Sequence, residues 1–304
     1  MRYNLRKFDF IKLSRYFFIF SIAITVLGVI TLAALGMNYG VDFRAGSSMD
    51  LAVQKNLQGQ KEEIQSFLDE QNLGKYTLTV GAERVSIRFD DILSDQEEQQ
   101  LKRGFADAFD PKASAEVYTV DVQMARELQT NALVAVAIAS IGIIIYVSIR
   151  FEWRFAIAAI VALLHDAFIV ISLFSILRLE VNLPFIVAVL TIIGYSINDT
   201  IVIFDRIREN MRFAKLKTKE DIAALVNESI WQTMTRSINT VATVFVTALC
   251  VFLFGGESIK LFSLAILFGL VSGAYSSIFI ASPLWLVLKN KQKPKASANT
   301  QPAS

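Results

Sequence analysis

Val181-Asn182-Leu183-Pro184-Phe185-Ile186-Val187-Ala188-Val189-Leu190-Thr191-Ile192-Ile193-Gly194-Tyr195-Ser196-Ile197-Asn198-Asp199-Thr200-Ile201-Val202-Ile203-Phe204 is an apolar run interrupted by one charge, Asp199. A run of about 20 such residues crosses the hydrocarbon core of a bilayer as a helix. Five other stretches read the same way. Residues 16–41, 128–149 and 261–288 are uncharged. Residues 155–177 are interrupted only by His165 and Asp166, and 233–254 carry Arg236 near their start. Six spans follow, numbered in chain order, and the stretch at 181–204 is the fourth. Composition agrees: only 19% of residues are charged and 54% are hydrophobic, whereas soluble domains are about 25% charged. The first span is longer than the apolar core of a cleaved leader, so it reads as a retained anchor.

Lys and Arg set the orientation. They crowd segment 1–15 (Arg2, Arg6, Lys7, Lys12, Arg15), the loop at 205–232 and the tail at 289–304, and Arg150 and Arg154 lie between spans two and three. The opposite-side connections hold only Arg178 and Lys260. Both termini are therefore expected in the cytoplasm, with residues 42–127 outside. That outside segment reads as a small α+β domain. Strands are expected at Met49–Gln54, Tyr76–Val80, Val85–Phe89 and Glu116–Val120, with a turn at Gly81-Ala82-Glu83-Arg84. Helices are expected at Glu62–Gln71 and Asp95–Phe109, the second opened by Ser94 and Glu97 as a capping box. The order βαββαβ suggests a ferredoxin-like split βαβ unit. The fold class is thus an α-helical polytopic membrane protein with a ferredoxin-like extracytoplasmic domain between helices one and two. The domain holds seventeen acidic against ten basic residues, which suits a solvated surface or, alternatively, a face for a basic or unfolded partner.

Ionisable groups inside a span are expensive and default to functional hypotheses. Asp166 lies near the middle of the third span, Asp199 a turn or two from the cytoplasmic end of the fourth, and Arg236 at a matching depth in the fifth. Asp199 and Arg236 could pair. Asn239, Thr240, Thr243 and Thr247 share a helix face with Arg236, and Tyr195, Ser196 and Asn198 surround Asp199 in sequence. Together these residues could line a hydrated, protonatable path. Plainer readings stand beside this one: a snorkelling arginine, a static ion pair, and interhelical hydrogen bonding by His165 and Asp166. Gly269 and Gly273 form a GxxxG that suits close helix packing. Aqueous enzymology finds little footing. The chain has one histidine, one cysteine (Cys250), no Gly-rich phosphate loop and no HExxH. We expect no enzyme activity, cofactor or metal site. A net charge of +2 argues neither for nor against nucleic acid, and none is expected as a partner.

The stretch Gly194-Tyr195-Ser196-Ile197-Asn198-Asp199-Thr200-Ile201-Val202-Ile203-Phe204-Asp205-Arg206-Ile207-Arg208-Glu209-Asn210 resembles the signature of the SecF proteins. These belong to the SecD/SecF family of the resistance-nodulation-division superfamily. Gln232-Thr233-Met234-Thr235-Arg236-Ser237, Leu164-His165-Asp166 and Phe254-Gly255-Gly256 resemble further motifs. So does Gly40-Val41-Asp42-Phe43-Arg44-Ala45-Gly46, in which Ala45 replaces the first of two glycines usual in the family. The resemblance implies a subunit that pairs with SecD, associates with the SecYEG channel and uses the proton gradient to promote preprotein translocation across the bacterial cytoplasmic membrane. It further implies proton conduction through the Asp199 and Arg236 positions. Asp166, from its own place inside the third span, is a candidate for a second relay group. The alternatives are a proton-driven exporter of small amphiphiles and a non-conducting scaffold of the translocon.

Overall fold

The structure, a computed structural model, describes residues 8–82, 84–214 and 218–290. Glu83 of the expected turn, residues 1–7 of segment 1–15 and nearly all of tail 289–304 lie outside the described residues. Among the described residues six helical rods are long and apolar enough to cross a membrane. They are α1 (Phe10–Leu35), α4 (Val122–Arg150), α5 (Trp153–Ile176), α6 (Leu183–Phe213), α7 (Lys219–Phe254) and a composite last rod. The last rod runs from α8 (Glu257–Ser276) through a π-helical turn, Ser277–Ala281, into α9 (Ser282–Asn290). The chain is a multi-pass membrane protein.

The membrane-side core is built where α5, α6 and α8 meet. Phe155 stacks on Trp285 with ring centroids 4.6 Å apart, and Phe174 packs on Phe185 at 4.4 Å. Close approach depends on small residues, as in other membrane bundles. A Cβ on Gly269 would lie 2.3 Å from the Ile192 side chain, and one on Gly28 of α1 would lie 2.1 Å from Ser172 Oγ of α5. By contrast α4 leaves Leu133, Ile138, Ile141, Ile145 and Ile149 exposed, an apolar face suited to lipid.

Several expected bounds need correction, among them the first helix, which is Phe10–Leu35 rather than 16–41. The stretch at 205–232 is not a loop: α6 continues to Phe213 and α7 begins at Lys219. Both extensions carry their own helix signals. Thr218 and Asp221 form a capping box at the start of α7, and Arg206 reaches Glu209 at i+3. Hydropathy marks where a helix meets lipid, whereas capping decides where it ends. The α7 extension also receives α1: Asn227 donates to Asp9 Oδ1 at 2.9 Å and accepts from Ile11 N–H. Likewise α4 starts at Val122, before its apolar run, with Asp121 accepting from Met124 N–H.

The α+β domain contains β2 (Gly46–Ala52), α2 (Lys61–Gln71), β3 (Tyr76–Val80), β4 (Arg84–Phe89), α3 (Asp95–Ala108) and β5 (Ser114–Val120). Its sheet runs β3-β4-β2-β5 with every neighbouring pair antiparallel, the order of a split βαβ unit. Met49, Leu51, Val85, Ile87 and Phe89 alternate onto one face, where Ile64 and Leu68 of α2 and Leu101 and Phe105 of α3 cover them. Each such side chain contributes roughly 1.5–3 kcal/mol by leaving water. The first strand lies earlier than 49–54 because its end is set by a side chain. The N–H groups of Gln54 and Lys55 leave the ladder and bond to buried Asp110 at 2.7 and 3.2 Å.

A second, two-stranded sheet fastens the domain to the bundle. β1 (Asn38–Tyr39) pairs in parallel with β6 (Glu180–Val181), which lies between α5 and α6. Strands this short carry no readable periodicity. Arg88 of β4 bridges to Glu180 at 3.2 Å. Burial pushes the Glu180 carboxyl up from its ordinary value, and the Arg88 guanidinium opposes that rise.

Asp110 yields a pH prediction. Backbone N–H bonds from Lys112 first, then Gln54, hold its carboxyl below the ordinary 3.8, with Lys55 adding less. A carboxyl held low supports the fold above its unfolded value, and that support is lost as pH falls through the folded one. Amide protection at Gln54, Lys55 and Lys112 should therefore drop below about pH 4. In Asp110→Asn the same amides should be less protected at neutral pH, and acid should change them little. Equal protection of the two proteins at neutral pH would contradict the assignment.

Candidate functional site

Two carboxylates sit inside the bundle, each enclosed by serine hydroxyls. Asp166 of α5 is fully buried. Its Oδ2 accepts from Ser196 of α6 at 2.5 Å and from Ser276 of α8 at 2.6 Å. Its Oδ1 accepts from Ser272 of α8 at 2.7 Å and lies 3.0 Å from His165 Nδ1. Four partners fill the four lone-pair positions a carboxylate offers. The network continues outward, since His165 Nε2 lies 3.3 Å from the Tyr275 hydroxyl, which lies 3.2 Å from Ser21 Oγ on α1.

Asp199 of α6 is 8% exposed. Its Oδ1 accepts from Ser237 of α7, and its Oδ2 accepts from Ser277 at 2.6 Å. Ser277 opens the π-helical turn of the last rod. Such turns are rare and favour functional positions. The consecutive residues Ser276 and Ser277 thus each serve a different carboxylate. Ser196 and Asp199, a turn apart on α6, join the two sites from the other side.

The expected Asp199–Arg236 pair does not form. Among the described residues Arg236 has no carboxylate within ion-pair distance, and it is exposed. The reason is rotational phase. Ser237, one residue on and so about 100° around the helix, points at Asp199, which turns Arg236 away. The expected path lining divides for the same reason. Ser196 faces inward onto Asp166. Asn198, Asn239 and Thr243 are exposed, and Tyr195 and Thr240 are half-buried. Tyr195 donates from α6 to the Thr240 carbonyl at 2.6 Å. Thr240 and Thr243 satisfy their hydroxyls on their own helix, bonding to the carbonyls of Arg236 and Thr240. The result is a polar, outward-facing strip across α6 and α7, separate from the buried serine sites.

Sequence reasoning missed Ser237, Ser272, Ser276, Ser277 and Tyr275. Their signal was the spacing 272, 276, 277 beside Gly273 in an uncharged span, which reads equally as close packing. Gly273 faces α6 without crowding it: a Cβ there would lie 3.4 Å from Ser196, an ordinary van der Waals distance. Among the described residues no three His, Cys, Asp or Glu side chains gather as a metal site.

Fold and site together define a six-span membrane protein with paired carboxylates buried behind hydroxyls at the heart of its bundle. Comparison with known proteins gives the same class a family. Residues 100–291 match the profile of the SecD/SecF protein export membrane protein C-terminal region, and residues 30–56 match the SecD/SecF GG motif. The chain is 44% identical to protein translocase subunit SecF of Alicyclobacillus acidocaldarius, covering 98% of each chain. It is 46% identical to protein translocase subunit SecDF of Bacillus subtilis, covering 96% of this chain and 40% of that protein. The crystal structure of SecDF from Thermus thermophilus superposes with a TM-score of 0.84 at 35% identity, over 93% of this chain and 39% of that one. The chain belongs to the SecD/SecF family.

A stability prediction follows from Asp166. Replacing it with Leu removes three serine hydrogen bonds, at about 0.6 kcal/mol per intramembrane bond, roughly 2 kcal/mol in all. Asp166→Asn keeps an acceptor oxygen and should cost less than half of that. Thermal unfolding of the purified full chain in detergent checks the order. Equal losses in the two variants would contradict the hydroxyl cage.

Proposed function

We propose that this chain is the SecF-type half of a two-subunit motor. It pairs with a SecD-like subunit beside the SecYEG channel. There it uses the proton motive force to promote preprotein translocation across the bacterial cytoplasmic membrane. It acts on no covalent bond and uses no cofactor besides the gradient. Asp199 is the proton carrier, and Asp166 with its relay to Tyr275 is a second group on the route. The observation carrying this reading is the serine enclosure of Asp199. A hydroxyl can donate to a carboxylate or rotate to accept from a carboxylic acid. The site therefore serves both protonation states without breaking an ion pair, which an arginine partner would not allow.

The polar strip of Arg236, Asn239, Thr243 and Asn198 supports the second subunit. A guanidinium facing hydrocarbon costs about 2.5–3.5 kcal/mol at the centre of a span and less towards its end, where Arg236 lies, and a polar partner helix is a natural cover. Arg236 then holds the partner against the Asp199 site rather than holding Asp199 itself. Lys and Arg content supports a cytoplasmic position for both termini and for the α6–α7 connection, with the α+β domain outside. Moving one charge through 100 mV supplies about 2.3 kcal/mol, roughly a fifty-fold bias on a two-state equilibrium.

Asp199→Asn keeps size and hydrogen bonding and removes the ionisable proton. It should insert and assemble at normal level yet lose gradient-dependent stimulation of export. Normal level with normal export would refute the carrier role. Arg236→Lys should also be impaired, because an ammonium lacks the planar fork, and it should co-purify with less of the second subunit. Orientation is checked separately. A membrane-impermeant amine reagent should reach Lys102 and Lys112 in intact cells and Lys219 only after permeabilisation. Labelling of Lys219 in intact cells would overturn the arrangement.

A further inference from the structure

The α+β domain is joined covalently to α1 and α4, yet neither of those helices carries a buried carboxylate. Asp166 and Asp199 lie on α5 and α6, and the short connection between these two helices is where the domain is clamped. Arg178 in that connection takes a left-handed backbone, φ 53°. It donates to the carbonyls of Leu35 and Gly36 at 3.3 and 2.6 Å, and Asn38 donates back to its carbonyl at 3.1 Å. The Asp42 carboxylate accepts from Leu183 N–H at 2.7 Å, so a segment outside α6 caps its first turn. Arg88 is the domain's own contribution. Its side chain is only 14% exposed, and one guanidinium nitrogen reaches both Glu180 and the Tyr39 carbonyl at 3.2 Å. Gly40 makes room for this contact, since a Cβ there would meet Glu180 Oε1 at 2.4 Å.

The position of Arg88 matters. It lies on β4, an inner strand, paired to Ser48 on one side and Thr77 on the other. Force applied there enters the middle of the sheet rather than a loop that could absorb it.

We propose that Arg88, Glu180 and Asp42 form the mechanical transmission of the protein, fixing the α+β domain to the outer end of α6 so that a shift of the Asp199-bearing helix moves the domain as one body. The proposal rests on the proton-carrier reading for the source of the shift, and it gives the glycine-containing segment after α1 a physical task. Displacement reaches the domain through the β1–β6 pairing and the Arg88–Glu180 bridge, whereas α1 and α4 act as tethers.

The test uses the full chain with its native partners, in cells lacking their own copy. Arg88→Glu and Glu180→Arg place like charges together, and the double variant restores an opposite pair in reverse order. Each single reversal should keep normal protein level and normal proton flux while losing export by about fivefold or more, the scale of coupling between charges in contact. The double variant should regain most of that export. Arg88→Gln, which adds no repulsion, should fall between wild type and the reversals. Full export in the single variants, or a double variant no better than either single, would overturn the transmission. Asp199→Asn run beside them separates the two readings. If it exports like wild type the proton carrier falls, and the reversal series still decides the clamp.

Discussion

A carboxylate inside a hydrocarbon layer must be given donors by its own protein, because no water is there to supply them. Much of this structure is arranged around that requirement. Serines on α6, α7 and the last rod turn inward onto Asp166 and Asp199. Hydroxyl donors have short reach, so the helices bearing them must approach closely, and Gly269 and Gly273 of α8 lie against Ile192 and Ser196 of α6. The π-helical turn at Ser277 has a place in the same logic. It lies where consecutive serines point at different carboxylates.

Hydroxyls also distinguish this site from a buried ion pair. A buried pair resists neutralisation of either partner, because the survivor is left charged and uncompensated. A hydroxyl cage leaves no such survivor. The arrangement suits a group that changes charge repeatedly, and it puts the strongly charged residue, Arg236, on the outer strip.

How much of this was legible in the sequence depends on the length scale of the constraint. A bilayer demands about twenty apolar residues, so six spans stand out even with Asp199 inside one of them. The alternation of Met49, Leu51, Val85, Ile87 and Phe89, and the Ser94–Glu97 capping box, made the order of the domain's elements readable, though not the bounds of its first strand. Depth in the membrane was also readable, and it matched Asp199 with Arg236. Rotational phase between helices was not, and a single step from Arg236 to Ser237 decided which side chain meets the carboxylate. The helical extensions of α6 and α7 were obscured because polar sequence looks the same in a loop and in a solvated helix. The β1–β6 pairing was invisible because two residues per strand leave no pattern. Family motifs drew attention to Asp199 and Arg236, whereas the side chains that meet Asp199 are Ser237 and Ser277.

The central claim is that Asp199 itself takes up and releases the proton that crosses the membrane. Isotope-edited infrared difference spectroscopy of the chain with its partner, reconstituted in vesicles, tests this most directly. Imposing a proton gradient should produce a protonated carboxyl band that is absent at rest. The band should shift when Ser277→Ala removes one hydroxyl and vanish in Asp199→Asn. A spectrum with no carboxyl band under the gradient, or a band that persists unchanged in Asp199→Asn, would contradict the account.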